Sequence, residues 1–344
     1  MNAPAYAGSA GDVARDRDVV LGIWRGNLGQ DARMQAKYDW FYAQCPFGAP
    51  LLRLLRHGAD AAPVGAAAAG PRRMLRDGRP IEAGVLVDLA VLPEHRSLGP
   101  ALMLQGELAR AGAERFNLLY GFPNPKAAAV FKRVGYDRLG DIVRRARVLR
   151  HAGYLARRMP RPLAALAGFV LDRARAIADA VRSPHERLVA NWTDRADTRF
   201  DALWSASPKG EGVVGVRDAA FARWRFDASP LASTRYLLLV GADGALRAWF
   251  ACQIEDAVLH VRDFWSDDAA TGIGQARIAA LLRAARKAGH AAVSVEYAGP
   301  DARLAGWAAA GFVERGRRPV FGRWSEGSAA EAVPIHLTSA DEDE

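Results

Sequence analysis

Residues 87–101 read V-D-L-A-V-L-P-E-H-R-S-L-G-P-A: an alternating apolar strand, a proline, and a short loop that opens a helix over Leu102 to Ala111. The loop, Arg96-Ser97-Leu98-Gly99-Pro100-Ala101, lies where the first backbone N–H groups of a helix have no intrahelical partner and the helix dipole is positive. Main-chain donors, an arginine beside them and a glycine that lets the backbone come close make a site for a phosphate or pyrophosphate. Pro100 has no N–H to give, but its fixed φ suits a first helical turn. Between Val87 and Leu92 the strand carries one carboxylate, Asp88. By strict alternation it faces opposite to Val87, Leu89 and Val91. It reads either as a proton acceptor working through water, or as a satisfied polar residue of the strand. His95 reads as a phosphate contact, a proton shuttle or an exposed loop histidine.

These residues need elements to hold them. Asp18 to Trp24 is expected as a first strand, and Ala32 to Ala43 as a helix that stops at Pro46. Leu51 to Arg56 is a strand. Val64 to Leu75 and Ile81 to Leu92 form a hairpin across Asp77-Gly78. The loop and its helix follow. Phe116 to Gly121 is a short buried strand carrying Tyr120, and Pro125 to Val134 is a helix capped by Asn124. The second half repeats the order. Val214 to Phe226 is expected as a helix, Tyr236 to Val240 as a strand, and Leu246 to Ile254 with Ala257 to Trp265 as a hairpin. Gly274 to Gly289 then reads as a helix, His290 to Tyr297 as a strand and Ala302 to Ala310 as a helix; Val313 and Pro319 to Trp324 close the sheet. Trp40 precedes Pro46, and Trp224 precedes Pro230, by the same six residues. Arg96 to Gly135 spans 39 residues and Ala269 to Gly311 spans 42. Order and spacing together point to an internal duplication.

The spacing R-x-x-G-x-A resembles the acyl-CoA pyrophosphate loop of the GNAT superfamily of N-acetyltransferases. The segment N-P-K-A-A-A-V-F-K-R-V-G-Y, residues 124–136, resembles the helix after the next strand in that superfamily. The resemblance implies an α+β fold of two GNAT-like domains, each a mixed, splayed sheet flanked by helices. It places a disordered lead-in over 1–16, an acyl-CoA-binding domain over 17–148, an Arg-rich helical linker over 149–185, a degenerate domain over 186–326 and an acidic tail over 327–344. It implies acetyl-CoA, or another acyl-CoA, as co-substrate. Leu89, Ala90, Val91 and Leu92 would line the pantetheine. The N–H groups of Ser97, Leu98, Gly99 and Ala101 would cradle the pyrophosphate beside Arg96, and Asn124 and Phe131 would complete the donor site. Asp88 stands near the position of the family's frequent Glu base. Phe131 and Trp307 occupy the position of its frequent Tyr acid. Tyr120, His260, Arg262, Asp263 and Glu296 are candidates for acceptor contact. In the second half Ala269 replaces the loop's arginine, Asp267-Asp268 would repel a pyrophosphate, and Pro300 replaces the helix-leading Asn.

Bulk properties bound the rest. The chain has 344 residues, enough for two domains, with half of them hydrophobic. Cys45 and Cys252 give neither a disulfide framework nor metal spacing, so no metal is expected. No signal peptide and no 18-residue apolar run is evident, so a cytoplasmic location is expected. Net charge is +9. It suits CoA, an anionic membrane or nucleic acid, with no specific nucleic acid expected. In 160–184, Leu163, Leu166, Ala167, Val170, Leu171, Ala174, Ile177, Ala178 and Val181 share one helical face. This is either a linker helix packed across the two domains or a helix making weak contact with a membrane surface. The functional expectation is an acyl-CoA-dependent N-acetyltransferase acting on a small-molecule amine, by analogy with acetyltransferases of bacterial surface-polysaccharide clusters an amino sugar. The alternatives are a FemX-like transferase using aminoacyl-tRNA and a silent CoA-binding scaffold. Oligomeric state is not expressed in the sequence.

Overall fold

The computed structural model describes residues 6–29, 31–182, 186–325 and 333–343. The first half supplies β1 (Tyr6–Ala10), α1 (Arg17–Trp24), α2 (Asp31–Lys37), β2 (Leu51–His57), β3 (Ala62–Arg76), β4 (Arg79–Val91), α3 (Leu98–Ala113), β5 (Leu118–Gly121), α4 (Pro125–Val134) and β6 (Asp137–Val148). Two helices follow, α5 (Ala152–Leu155) and α6 (Arg161–Arg182). The second half supplies β7 (Val189–Thr193), α7 (Arg199–Ala206), β8 (Val213–Gly215), α8 (Ala219–Ala222), β9 (Arg235–Val240), β10 (Leu246–Glu255) and β11 (Val258–Ser266). It continues with α9 (Gln275–Lys287), β12 (Ala292–Ala298), α10 (Asp301–Ala309), β13 (Val313–Trp324) and β14 (Ile335–Thr338).

All these strands join one mixed sheet, in the order β1-β2-β3-β4-β5-β13-β6-β12-β11-β10-β9-β7, with β14 and β8 branching off it. The order is a palindrome of the two halves. Each runs antiparallel to one parallel pair, β4 with β5 and β11 with β12. Those pairs are parallel because α3 and α9 carry the chain back across the sheet. At the centre the halves exchange their last strands: β13 pairs with β5 and β6, and β6 pairs with β12. The sheet therefore has no break at 148. The turn Asp77-Gly78 carries φ of 51° and 77°, the double left-handed geometry of a tight hairpin.

The two Trp-x5-Pro segments meet near this centre. Trp40 and Trp224 each lie in a single π-helical turn, Tyr38–Ala43 and Arg223–Asp227. The Trp40 indole N–H donates to the Trp224 carbonyl at 2.8 Å, and the Trp224 indole donates back at 3.4 Å. Their rings stack with centroids 5.3 Å apart. One hydrophobic core runs beneath both halves, from Trp24 and Tyr42 to Trp249 and Trp265.

Several expectations need correcting. Asp18 to Trp24 is helical, because Val20, Leu21, Ile23 and Trp24 all bury on one side of α1. Residues 6–10 are not a disordered lead-in; they form β1, the edge strand paired with β2. Residues 1–5 lie outside the described residues. The segment expected as a helix from Val214 begins as β8 and turns helical only at Ala219. The acidic tail is no solvated tail over 333–343. There β14 and a 3₁₀ turn, Ser339–Asp341, are buried in the core; residues 326–332 and 344 lie outside the described residues. The linker of 149–185 contains α5 and α6, with 183–185 outside the described residues, and the apolar face of α6 does not pack across the halves.

Candidate active site

Strand β4 pairs with β5 only over Ala83–Val85. Beyond Val85 the two strands diverge, and a cavity of about 230 Å³ opens between them. Val85, Leu86, Val87, Asp88 and Leu89 line one wall; Phe122, Pro123, Asn124, Ala127 and Phe131 line the other, with Glu342 and Asp343 at one end. A β-bulge shapes the first wall. Val87 sits opposite Ala68 and Ala90 opposite Ala66, so Asp88 and Leu89 share the space facing Ala67. Asp88 has φ of 54°, a left-handed conformation that costs a non-glycine residue on the order of 1–3 kcal/mol. The bulge breaks the strict alternation expected for this strand.

Helix α3 points its N-terminus at the open loop. Ser97 is the N-cap, with extended backbone and no side-chain cap. Its own N–H donates to His95 O at 2.8 Å, and Pro100 has none to give. The Ala101 N–H is the first that the helix itself consumes. The outward donors are therefore those of Leu98 and Gly99, fewer than the loop spacing implied. A Cβ at Gly99 would meet nothing within 4 Å. Arg96 is exposed and its guanidinium contacts Asn27 Oδ1. His95 lies 3.0 Å from the Tyr6 hydroxyl through Nδ1 and packs against the His57 ring.

Asp88 is the centre of a buried cluster. Lys37 Nζ donates to Asp88 Oδ1 at 2.8 Å and to Asp343 Oδ2 at 2.7 Å. The Tyr42 hydroxyl donates to Asp88 Oδ2 at 2.8 Å. Burial pushes the Asp88 carboxyl above its ordinary value, with Lys37 opposing and Asp343 adding. Burial acts the same way on Asp343, but Lys37 outweighs it and holds that carboxyl low. Burial would lower the Lys37 ammonium, yet Asp343 and Asp88 together hold it well above its ordinary value. Of the two carboxylates around one cation, Asp88 is shifted up and Asp343 down. Asp88 also lines a second cavity of about 510 Å³, whose other polar lining residues include Arg33, Lys37, Arg225, Gln253, His260 and Arg262.

No family model matches the chain, and no curated protein matches it. Solved structures do. A conserved protein of unknown function from Enterococcus faecalis, described as a probable N-acyltransferase, superposes with a TM-score of 0.67 at 11% identity, over 94% of this chain and 73% of that one. A GCN5-related N-acetyltransferase from Kribbella flavida gives 0.61 at 15% identity, over 98% and 83%. The N-myristoyltransferase of Saccharomyces cerevisiae with bound myristoyl-CoA gives 0.53 at 10% identity, over 94% and 84%. The fold is the GNAT fold. Within it, the splay between β4 and β5 and the N-terminus of α3 are neighbours in one half of the molecule.

The corresponding strands and helix of the second half leave no such opening. Strands β11 and β12 pair only as far as Val261 and Val295. The gap beyond is filled by β14, which pairs with β12 through Thr338 and Leu337, and by Ser339, whose hydroxyl donates to Arg262 O. At α9 the Gly274 N–H donates to Asp268 Oδ2 at 3.0 Å, so a carboxylate of the chain occupies the helix N-terminus. Arg277 pairs with Asp267 and Asp268.

The remaining predicted residues divide. Leu89, Asn124 and Phe131 line the first cavity; Asn124 also caps α4 through the Ala127 N–H, and Phe131 packs on Tyr136 and Phe321. Ala90 and Val91 are core residues, and Leu92 donates its N–H to Val64 O. Tyr120 is no acceptor contact: it is fully buried and its hydroxyl donates to Asp341 O. Asp263 is none either. It is fully buried, bonded to Arg217 and Thr338, and burial pushes its carboxyl up to about 6. Glu296 pairs with Arg318 and lies off the second cavity, whereas His260 and Arg262 line it. Lys37, Tyr42, Arg225 and Asp343 carry no local signal in the sequence. Their roles come from residues 46 to 306 positions away, or from a fold contact alone. Among the described residues no helix is long and apolar enough to cross a membrane, and no acidic, His or Cys group could hold a metal.

Proposed function

We propose that this protein is an acyl-CoA-dependent N-acyltransferase with one donor site, in its first half, and that the second half is a degenerate copy forming the far wall of the acceptor cleft. The carrying observation is that Asp88 lines both cavities: the β4–β5 splay on one side and the larger, cation-rich cleft on the other. The thioester would lie in the splay with its pyrophosphate at Leu98 and Gly99, and Arg96 beside it. The bulge at Asp88 and Leu89 frees main-chain groups along the splay that can hold a pantetheine arm. Phe131, backed by Tyr136 and Phe321, suits a short acyl group such as acetyl.

An amine enters from the cleft as an ammonium ion. Asp88, raised by burial and held by Lys37, accepts its proton directly or through water. The neutral amine attacks the thioester carbonyl, the C–S bond breaks, and the leaving thiolate takes the second proton of the nitrogen, directly or through water, to give the amide and free CoA. Arg33, Lys37, Arg225 and Arg262 against Asp88 and Glu255 give the cleft a cationic lining. Burial, with the nearby Arg72 adding, lowers Arg225 to about 10, while its guanidinium donates to Ala340 O and Ser339 O. The acceptor is therefore a small polar amine that also bears an anionic group; a charged amino sugar meets both needs.

The test is release of free CoA from acetyl-CoA with a panel of amines, paired with and without a carboxylate or phosphate. Turnover that favours the anionic member of each pair supports the proposal. Acetyl-CoA binding without turnover of any amine would move the protein to the scaffold class. Binding of aminoacyl-tRNA in place of acetyl-CoA would favour the aminoacyl route.

A further inference from the structure

Helix α6 turns its apolar side outward. Its contacts with the rest of the chain are made by small and polar residues. Ala164 and Gly168 are buried, and a Cβ at Gly168 would come within 2.7 Å of the Ala152 backbone N of α5. Asp172 accepts from the His151 backbone and lies 2.5 Å from its ring Nδ1. Asp179 accepts from Arg147 at 2.6 Å and from Arg286 of α9. The opposite side carries Leu163, Leu166, Phe169, Val170, Ile177 and Val181, each 58–76% exposed. A helix of 22 residues presents this band over roughly 33 Å. A soluble helix normally buries such a stripe, and an exposed one of this size marks a surface that something covers.

The charges around the band say what. Arg157, Arg158 and Arg161 are exposed at the N-terminal end of the helix and Arg173 on its outward side, whereas Arg175 lies on the inner side, 3.0 Å from His151 Nε2. The two acidic residues between 149 and 182, Asp172 and Asp179, are both committed to inward pairs. The outward surface is thus apolar with cations only. A second copy laid against it would set arginine against arginine with no carboxylate between them. An anionic lipid surface instead takes the apolar side chains at the depth of the acyl boundary and the guanidinium groups at the phosphates. Exposed Tyr154 and Phe169 suit the same boundary. We propose that α6 seats this protein on an anionic membrane surface, lying in the interface and not crossing it.

The test is co-sedimentation of the full chain with vesicles of phosphatidylcholine alone and of equal parts phosphatidylcholine and phosphatidylglycerol. The proposal expects binding to the anionic vesicles only, weakening as salt rises. Phe169→Ser should lower the partition roughly ten-fold or more. Arg158→Gln and Arg173→Gln should each lower it roughly five-fold. Each variant should keep the wild-type melting temperature, since these side chains face outward. Absence of binding to the anionic vesicles would overturn the proposal, as would binding that all three variants leave unchanged. A stable dimer in sedimentation velocity that Phe169→Ser dissociates would overturn it in favour of a second copy.

Discussion

Replacing Lys37 with methionine tests the proton-accepting cluster without touching either cavity's apolar walls. The ammonium sits 2.8 Å from Asp88 and 2.7 Å from Asp343, and methionine keeps much of the side chain's length and volume. An opposite charge this close lowers a carboxyl pKa by about 1–3 units. Its loss also leaves Asp88 facing Asp343 with no cation between them. Asp88 is already raised by burial, and Lys37 is what chiefly opposes that rise. The base works deprotonated, so activity is lost as pH falls through its pKa. Removing Lys37 raises that pKa, and the acid limb of the kcat/KM profile moves up by about 1–3 pH units. At a pH below both limbs the variant is slower by roughly 10- to 1,000-fold, and it recovers toward wild type as pH rises. The assay is CoA release with one amine for both proteins across about pH 5–9. Titration of the amine itself then cancels in the ratio. A loss of equal size at every pH, or a limb that stays or moves down, would refute the reasoning. A melting curve for each protein separates this from unfolding, and Lys37→Arg, which keeps the charge, should restore the limb.

Asp88→Asn should lower kcat by about 10²- to 10⁴-fold while leaving acyl-CoA affinity, read by calorimetry, within a few-fold. Arg217→Met should cost about 3–5 kcal/mol in denaturant unfolding, because it leaves Asp263 and Asp341 charged and buried with no cation. His336 is fully buried, and burial with Arg217 and Arg303 holds its imidazole well below its ordinary value. The unfolded chain then binds the proton first, so stability is lost as pH falls below about 6.5, by up to about 1.4 kcal/mol per unit. His336→Gln should flatten that slope; His260 and His290, also lowered by burial, contribute what remains.

The strand–loop–helix of residues 87–113 was legible because its signals are local: alternation, a proline, a glycine and a helical period. Pro125 to Val134 was legible to the residue for the same reason. What the sequence hides is pairing at a distance. The bulge at Asp88 exists only relative to Ala67 on β3, so alternation along β4 alone aims the side chain wrongly. The segment Val19 to Trp24 suits a strand or a helix equally, and only the core beneath Val20, Leu21, Ile23 and Trp24 decides. Composition marks residues 339–343 as a solvated tail. Yet Asp341 is buried and Asp343 half-buried, because Arg217 and Lys37, both far away in the chain, neutralise them. In α6 the periodicity located the apolar face but carried no sign of its direction. Inward pairing of Asp172 and Asp179 sets that.

The central claim is one acyl-CoA per chain, with its pyrophosphate on the N-terminus of α3. Calorimetric titration of acetyl-CoA into wild type and Gly99→Asp tests it most directly. The substitution has open space around it and places a carboxylate where a helix tolerates one, so the fold should stand. The account predicts one site in wild type and a loss of at least roughly ten-fold in affinity in the variant, from charge repulsion and blocked approach. Two sites, unchanged affinity in Gly99→Asp, or no binding to wild type at all would contradict it.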